Sequence, residues 1–440
     1  MADGLVQRHP DLARAGGRLS DDPDDGPRRE PTWRRSLPHQ ADVRRRLVHD
    51  GPVRRAAADS TISGMRVGTD AVHPQHAVTL PSHHALRSPW GACTVPHKPV
   101  VLSYGDGMRV AAVVAVIGVH ASGIGVMRYG RLDPLHWWSV NAVDSLCRWA
   151  VPIFIMLSGA LLLDPARDEP APTFYRKRMA RVGIPLLVWA WFYFFWTWAF
   201  YGEPVDRTFV IRALLDGLTY NHLYFLFLIL GLYAVAPLLR MYVRRVRRPQ
   251  QWAVAALVLA LVSFGILQNA IPMNALTRFV PFIGYFLVGI LLRDVPATTP
   301  LRAAALVAFL AATAFIAIGT GQRFASWGPD DWRSLALYDT LGAPVVIQSI
   351  AMFILLRSFF AARAGTHPRE SRLIRLLAPL VFGIYLVHRA VHDLLAGLID
   401  PLLPAAALPT IVLQIASTFV VPATVVALLR RVPYLRHIVG

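Results

Sequence analysis

From about residue 100 onward the chain alternates long apolar runs with short polar connections, and the apolar runs have the length of membrane spans rather than of strands. They cover about 108–128, 143–163, 182–202, 221–241, 252–270, 277–293, 301–319, 339–360, 376–397 and 406–430. At about 1.5 Å per residue, a helix over such a run crosses the roughly 30 Å hydrocarbon core of a bilayer. The sixth run is short and the eighth carries Gln348 and Ser349, so these two fit the pattern least well. The predicted fold is all-α: a polytopic membrane bundle of about ten transmembrane helices.

The polar connections orient this bundle. Those after the second, fourth, sixth and eighth runs hold Arg176 to Arg178, Arg244 to Arg248, Arg293 with Arg302, and Arg363 with Arg369, Arg372 and Arg375. The odd-numbered connections are poorer in arginine and carry Glu203, Asp206, Asp330, Asp331 and Asp400. Short arginine-rich loops stay in the cytoplasm, which predicts that both termini are cytoplasmic. Composition agrees with a membrane protein: 55% of residues are hydrophobic and 16% charged, against about 25% charged in ordinary soluble domains. The net charge of +18 follows from this loop asymmetry and suits an anionic lipid surface, not nucleic acid.

Residues 1–100 are different. They mix Arg, Asp, Pro and His with no apolar run and no signal-peptide pattern, so the expectation is a disordered N-terminal extension. With only Lys98 and Lys177 against 43 arginines, the chain reads as the product of a GC-rich genome, where a start codon placed too early accounts for such a segment more simply than a functional arm. The expected division is therefore 1–100, a membrane domain over 101–432, and a cytoplasmic tail over 433–440. Cys93 and Cys147 support neither a disulfide framework nor a metal site, and His388 with His392 are too few ligands for zinc, so no metal is expected.

Within the first run, Arg109 and His120 lie eleven residues apart. On a helix that is three turns plus about 20°, which gives both side chains one face and separates them by about 16 Å in height. Arg109 sits at the rim and His120 near the midplane. An ionisable group at that depth either lines a cavity or is hydrogen-bonded to a neighbouring helix.

Several segments then resemble the acyltransferase 3 family of integral-membrane acyltransferases that decorate surface polysaccharides. They are Tyr104-Gly-Asp-Gly-Met-Arg-Val-Ala-Ala with His120 after it, Arg148-Trp-Ala-Val-Pro-Ile-Phe-Ile-Met-Leu-Ser-Gly, and Tyr175-Arg-Lys-Arg-Met-Ala-Arg181 leading to Pro185. His222-Leu-Tyr-Phe-Leu, Gly284-Tyr-Phe-Leu-Val-Gly and Tyr385-Leu-Val-His388 follow in order, so the resemblance runs over roughly 101–430.

The resemblance implies transfer of an acyl group, acetyl above all, from acyl-CoA to a hydroxyl of a cell-surface polysaccharide or lipid-linked sugar, by a multi-pass protein of the bacterial inner membrane. Such a reaction needs a base for the hydroxyl proton, and a neutral imidazole suits it. His120 is the expected base, with Arg109 binding an anionic part of the donor or orienting another group. Asp106, one turn before Arg109, either takes part in substrate binding or seats the helix through an ion pair. Arg178 and Arg181, three apart, are expected to clamp the donor's phosphates, although such ends carry arginines for topology as well. Arg148, His222 and the face carrying Tyr385, His388 and His392 are expected in the outer half, either as the acceptor end or as hydrogen bonds between helices. Ser158 and Gly159 read as a packing contact rather than a nucleophile. The alternative, a proton-coupled membrane transporter using Arg109 and His120 as a relay, lacks the inverted repeat and matched broken helices of that class.

Overall fold

The computed structural model describes residues 104–363, 368–399 and 408–440; the expected disordered extension over 1–100 lies outside the described residues. The described chain is helical: α1 (Gly105–Val126), α2 (Pro134–Cys147), α3 (Ala150–Leu162), α4 (Ala171–Arg178), α5 (Ile184–Tyr201), α6 (Arg207–Asp216), α7 (Tyr224–Arg245) and α8 (Arg248–Ser263). Then come α9 (Ile266–Ala270), α10 (Ile283–Arg293), α11 (Thr299–Trp327), α12 (Ala343–Arg363), α13 (Pro368–Leu377), α14 (Val381–Ile399), α15 (Leu408–Leu429) and α16 (Arg436–Val439).

Among the described residues, eight helical segments are long and apolar enough to cross a membrane. They match eight of the ten expected runs, including the eighth, whose Gln348 is accommodated by donating to the Ser145 carbonyl and to Thr313 Oγ1, 2.8 Å each. The fifth and sixth runs form shorter helices: α8 has 16 residues and α10 has 11. Of the two expected to fit least well, the structure shortens the sixth and keeps the eighth.

The second span also begins earlier than expected. It runs Pro134–Leu162, with α2 and α3 nearly continuous across Arg148 and Trp149. Asp133 starts it, its carboxylate accepting the Leu135 N–H at 2.9 Å, with Pro134 in the first turn. The polar residues of 134–142 hide this turn from a hydropathy reading. As a result, Arg148, expected in the outer half, falls near the middle of the span.

The core explains why α10 tolerates its short length. It is buried along nearly its whole surface and crosses α3 at backbone contact: a Cβ added to Gly159 would lie 1.9 Å from the Phe286 carbonyl oxygen, and one added to Gly289 would lie 1.9 Å from that of Met156. Only hydrogen fits at these two crossing points, so Gly159 is a packing residue, and small residues replace the hydrophobic drive that lipid cannot supply between helices. Lipid-facing surfaces are apolar, as on α5, where Leu187, Trp191, Phe195 and Trp198 are exposed. The last residues pack on the bundle too: Trp189 Nε1 donates to the Ile438 carbonyl at 2.8 Å and Val439 is buried.

Candidate active site

The first expected site residue, His120, stands fifteen residues into α1, half-buried, where α14 passes it. Its ring centroid is 5.2 Å from that of His388 on α14, and His388 is 4.9 Å from His222, which sits in the turn before α7. Tyr385, one turn before His388, completes the group: its ring lies 5.4 Å from His222 and its hydroxyl donates to the His222 carbonyl. Four expected residues from three distant stretches of sequence, His120, His222, Tyr385 and His388, thus meet in one place.

Hydrogen bonds fix the imidazoles around this point. His388 Nδ1 is 2.7 Å from the Tyr385 carbonyl, so that nitrogen carries the hydrogen and Nε2 is left as an acceptor. Nε2 has no partner although His388 is fully buried. His222 Nε2 approaches the Leu386 carbonyl at 3.4 Å, and its Nδ1 is likewise buried and unpartnered. Buried polar atoms of native proteins are nearly always hydrogen-bonded, and an unmade bond costs about 1–3 kcal/mol. Two such orphans, on His388 and His222, lie in one place.

One turn further along α14 lie residues the sequence reading passed over. Arg389 Nη2 is 3.0 Å from Asp393 Oδ1, in an ion pair that is almost wholly buried. Asp393 also accepts from Tyr220 at 2.9 Å and from Trp196 Nε1 at 3.3 Å. Burial and then the Asp393 charge push the Tyr220 phenol far above its ordinary pKa, which keeps it a donor to that carboxylate. The signal was present: His388-Arg-Ala-Val-His392-Asp places four ionisable groups inside an apolar span, where each is costly unless it has a purpose.

Arg109 is elsewhere. It lies eleven residues before His120 on α1 and pairs with Asp106, Nη1 to Oδ1 at 2.5 Å, so the two share an end of the helix away from the imidazoles. Arg148 does not join them either. It forms an ion pair with the fully buried Asp144, whose other oxygen accepts from Ser122 at 3.1 Å, and its guanidinium stacks 3.7 Å from the centre of the Tyr338 ring.

Arg178 and Arg181 are separated by the local helix geometry. A π-helical turn over Met179–Gly183 links α4 to α5, and its wider turn breaks the one-face spacing of two residues three apart. Arg181 is exposed, whereas Arg178 turns inward with its guanidinium 5.0 Å from the buried Phe174 ring. Arg240, unmentioned in the sequence reading, faces the same ring at 5.5 Å; its Nε donates to the Leu162 carbonyl at 3.0 Å and its Nη2 is buried and unpartnered. Neither Arg178 nor Arg240 has a carboxylate partner among the described residues. The nearby Glu169 is taken by Arg167 and Lys177, at 2.9 and 2.8 Å. Burial alone would raise the Glu169 carboxyl, but these two donors hold it below its usual range. Arg240 is sixteen residues beyond the start of α7, so the cationic cluster and the imidazole cluster are about 24 Å apart along that helix.

Among the described residues no three His, Cys, Asp or Glu side chains are grouped as a metal ion would need. A family model described as an acyltransferase domain matches residues 102–430. No curated protein and no solved structure matches the chain.

Proposed function

The chain belongs to the acyltransferase 3 family and is a membrane acyltransferase, and from that premise we propose that it moves an acyl group, acetyl in the simplest case, from acyl-CoA to a hydroxyl of a surface polysaccharide or lipid-linked sugar. The observation that carries this reading is the meeting of His120 with His388, whose Nε2 is an acceptor with no partner. His120 removes the hydroxyl proton as the oxygen attacks the thioester carbonyl. His388 orients it: at a 5.2 Å centroid separation, a small ring rotation brings an N–H of His120 to the His388 Nε2 and leaves the other His120 nitrogen as the base. The thiolate leaves and takes up the proton, so no net proton is released.

Arg178 and Arg240 suit the donor. Two guanidiniums without carboxylates, stacked on one aromatic ring at an arginine-rich end of the bundle, are the chemistry that binds phosphates of a coenzyme. With that end cytoplasmic, as the basic loops indicate, coenzyme A enters from the side where it is made and its thioester reaches inward to His120. Asp106 and Arg109 belong to the same rim, where the Arg109 guanidinium supports the donor's path. His222 and Tyr385 hold the acceptor, Arg148 lends its end of α2 rigidity, and the bacterial inner membrane is the location this topology fits.

The test is release of free coenzyme A from acetyl-CoA by the purified protein in nanodiscs. Release that depends on a sugar acceptor, with label appearing in the sugar, supports the reading. A transporter consumes no thioester, and absence of acceptor-dependent release would refute the proposal.

A further inference from the structure

Among the described residues, His392 is the side chain with two buried polar atoms that lack a hydrogen-bond partner. It is 1% exposed, yet neither ring nitrogen has a hydrogen-bond partner. It lies one helical turn beyond His388 on the same face of α14. Its Nδ1 is 3.9 Å from Asp393 Oδ1, too long for a hydrogen bond. An oxygen about 2.8 Å from both atoms closes a triangle on that base. A hydroxyl placed there donates to the carboxylate and accepts from the Nδ1–H of His392, giving that nitrogen the partner it lacks.

The charge around this locus is balanced. On α14 itself the cation next to His388 is Arg389, and Asp393 pairs with it at 3.0 Å in an almost wholly buried ion pair. An anionic ligand would find no uncompensated cation there, and burying an unpaired carboxylate or phosphate is costly.

Resting on the acyl-transfer reading above, we propose that His392 and Asp393 bind a second hydroxyl of the acceptor, one turn from the reacting hydroxyl at His120 and His388, so that the acceptor is a neutral polyhydroxylated sugar and not a uronate or a sugar phosphate. His392 acts as a specificity residue. It grips the sugar beside the point of transfer and takes no proton in the reaction.

The experiment is direct binding of methyl hexosides to the full-length protein in nanodiscs, by calorimetry. The probes are a panel of neutral methyl hexosides, their monodeoxy counterparts and the matching methyl uronosides. The wild type is expected to bind at least one neutral hexoside about tenfold or more tightly than its uronoside. His392→Ala weakens that hexoside about tenfold, His392→Gln retains part of the affinity through its side-chain amide, and a deoxy sugar lacking the gripped hydroxyl binds wild type and His392→Ala equally. Failure of every hexoside to bind, equal binding of the uronoside, or unchanged affinity in both His392 variants overturns the proposal. Sugar binding of this kind without coenzyme A release leaves the inference standing and refutes the acyl-transfer reading instead; release with no effect of His392 does the reverse.

Discussion

His120 on α1 faces His388 on α14 with ring centroids 5.2 Å apart, while Arg109, the residue that shares a helix with His120, is paired with Asp106 at the end of α1. In the proposed mechanism, proton transfer therefore depends on a relationship that runs across the bundle between two imidazoles. The one along α1 joins that centre to the rim.

His388→Ala removes the proposed orienting partner and leaves His120 in place. Turnover should fall about 10²-fold, within the range a positioned proton-transfer group contributes, with donor KM changed less than threefold. Steady-state kinetics against acetyl-CoA check this; wild-type turnover would remove His388 from the mechanism.

Arg178 and Arg181 should separate. Arg178→Ala and Arg240→Ala raise the KM for acyl-CoA about tenfold or more each, as loss of a charge-assisted phosphate contact does, whereas exposed Arg181→Ala changes it little. The same assays vary the acceptor, whose KM should stay constant. An equal effect of Arg181→Ala would mean that the π-helical turn does not divide their roles.

Breaking the Asp144–Arg148 pair should destabilise strongly. Arg148→Ala leaves a buried carboxylate uncompensated and should cost about 3–5 kcal/mol, while Asp144→Leu with Arg148→Met should recover most of that. Chemical denaturation in detergent distinguishes the two variants, and equal losses in both would contradict a charge-pair origin.

Glu169 gives a stability effect with a defined pH sign. Its folded-state pKa is depressed by Lys177 and Arg167 despite burial, so its contribution is present above the ordinary carboxylate pKa of about 4.3 and is lost as pH falls through the lowered value. Glu169→Gln should lower Tm at pH 7, and the difference from wild type should shrink below about pH 4. A difference independent of pH would assign the effect to packing.

Much of this architecture is legible in the sequence because a bilayer imposes length and apolarity on each span, and Gly159 could be read as packing because only a small residue allows backbones to touch. The start of the second span was not legible: His136, Asn141 and two tryptophans dilute the hydropathy of a helix that Asp133 nevertheless caps. The proposed site was legible by residue type at His120, His222, Tyr385 and His388, but not by partnership, since their meeting depends on which helices pack together. Arg178 and Arg181 were misaligned by a π turn that no spacing rule anticipates. Arg389, Asp393 and Arg240 carried a readable signal, charge inside an apolar run, that was outweighed by the arginines of the loops.

Transfer of radiolabelled acetyl from acetyl-CoA to a sugar acceptor, followed in proteoliposomes for wild type and His120→Ala at matched, folded levels, tests the central claim most directly. Wild type should label the acceptor, and His120→Ala should fall by about 10²–10⁴-fold while still binding acetyl-CoA. Labelling of the acceptor by His120→Ala at the wild-type rate would contradict the account.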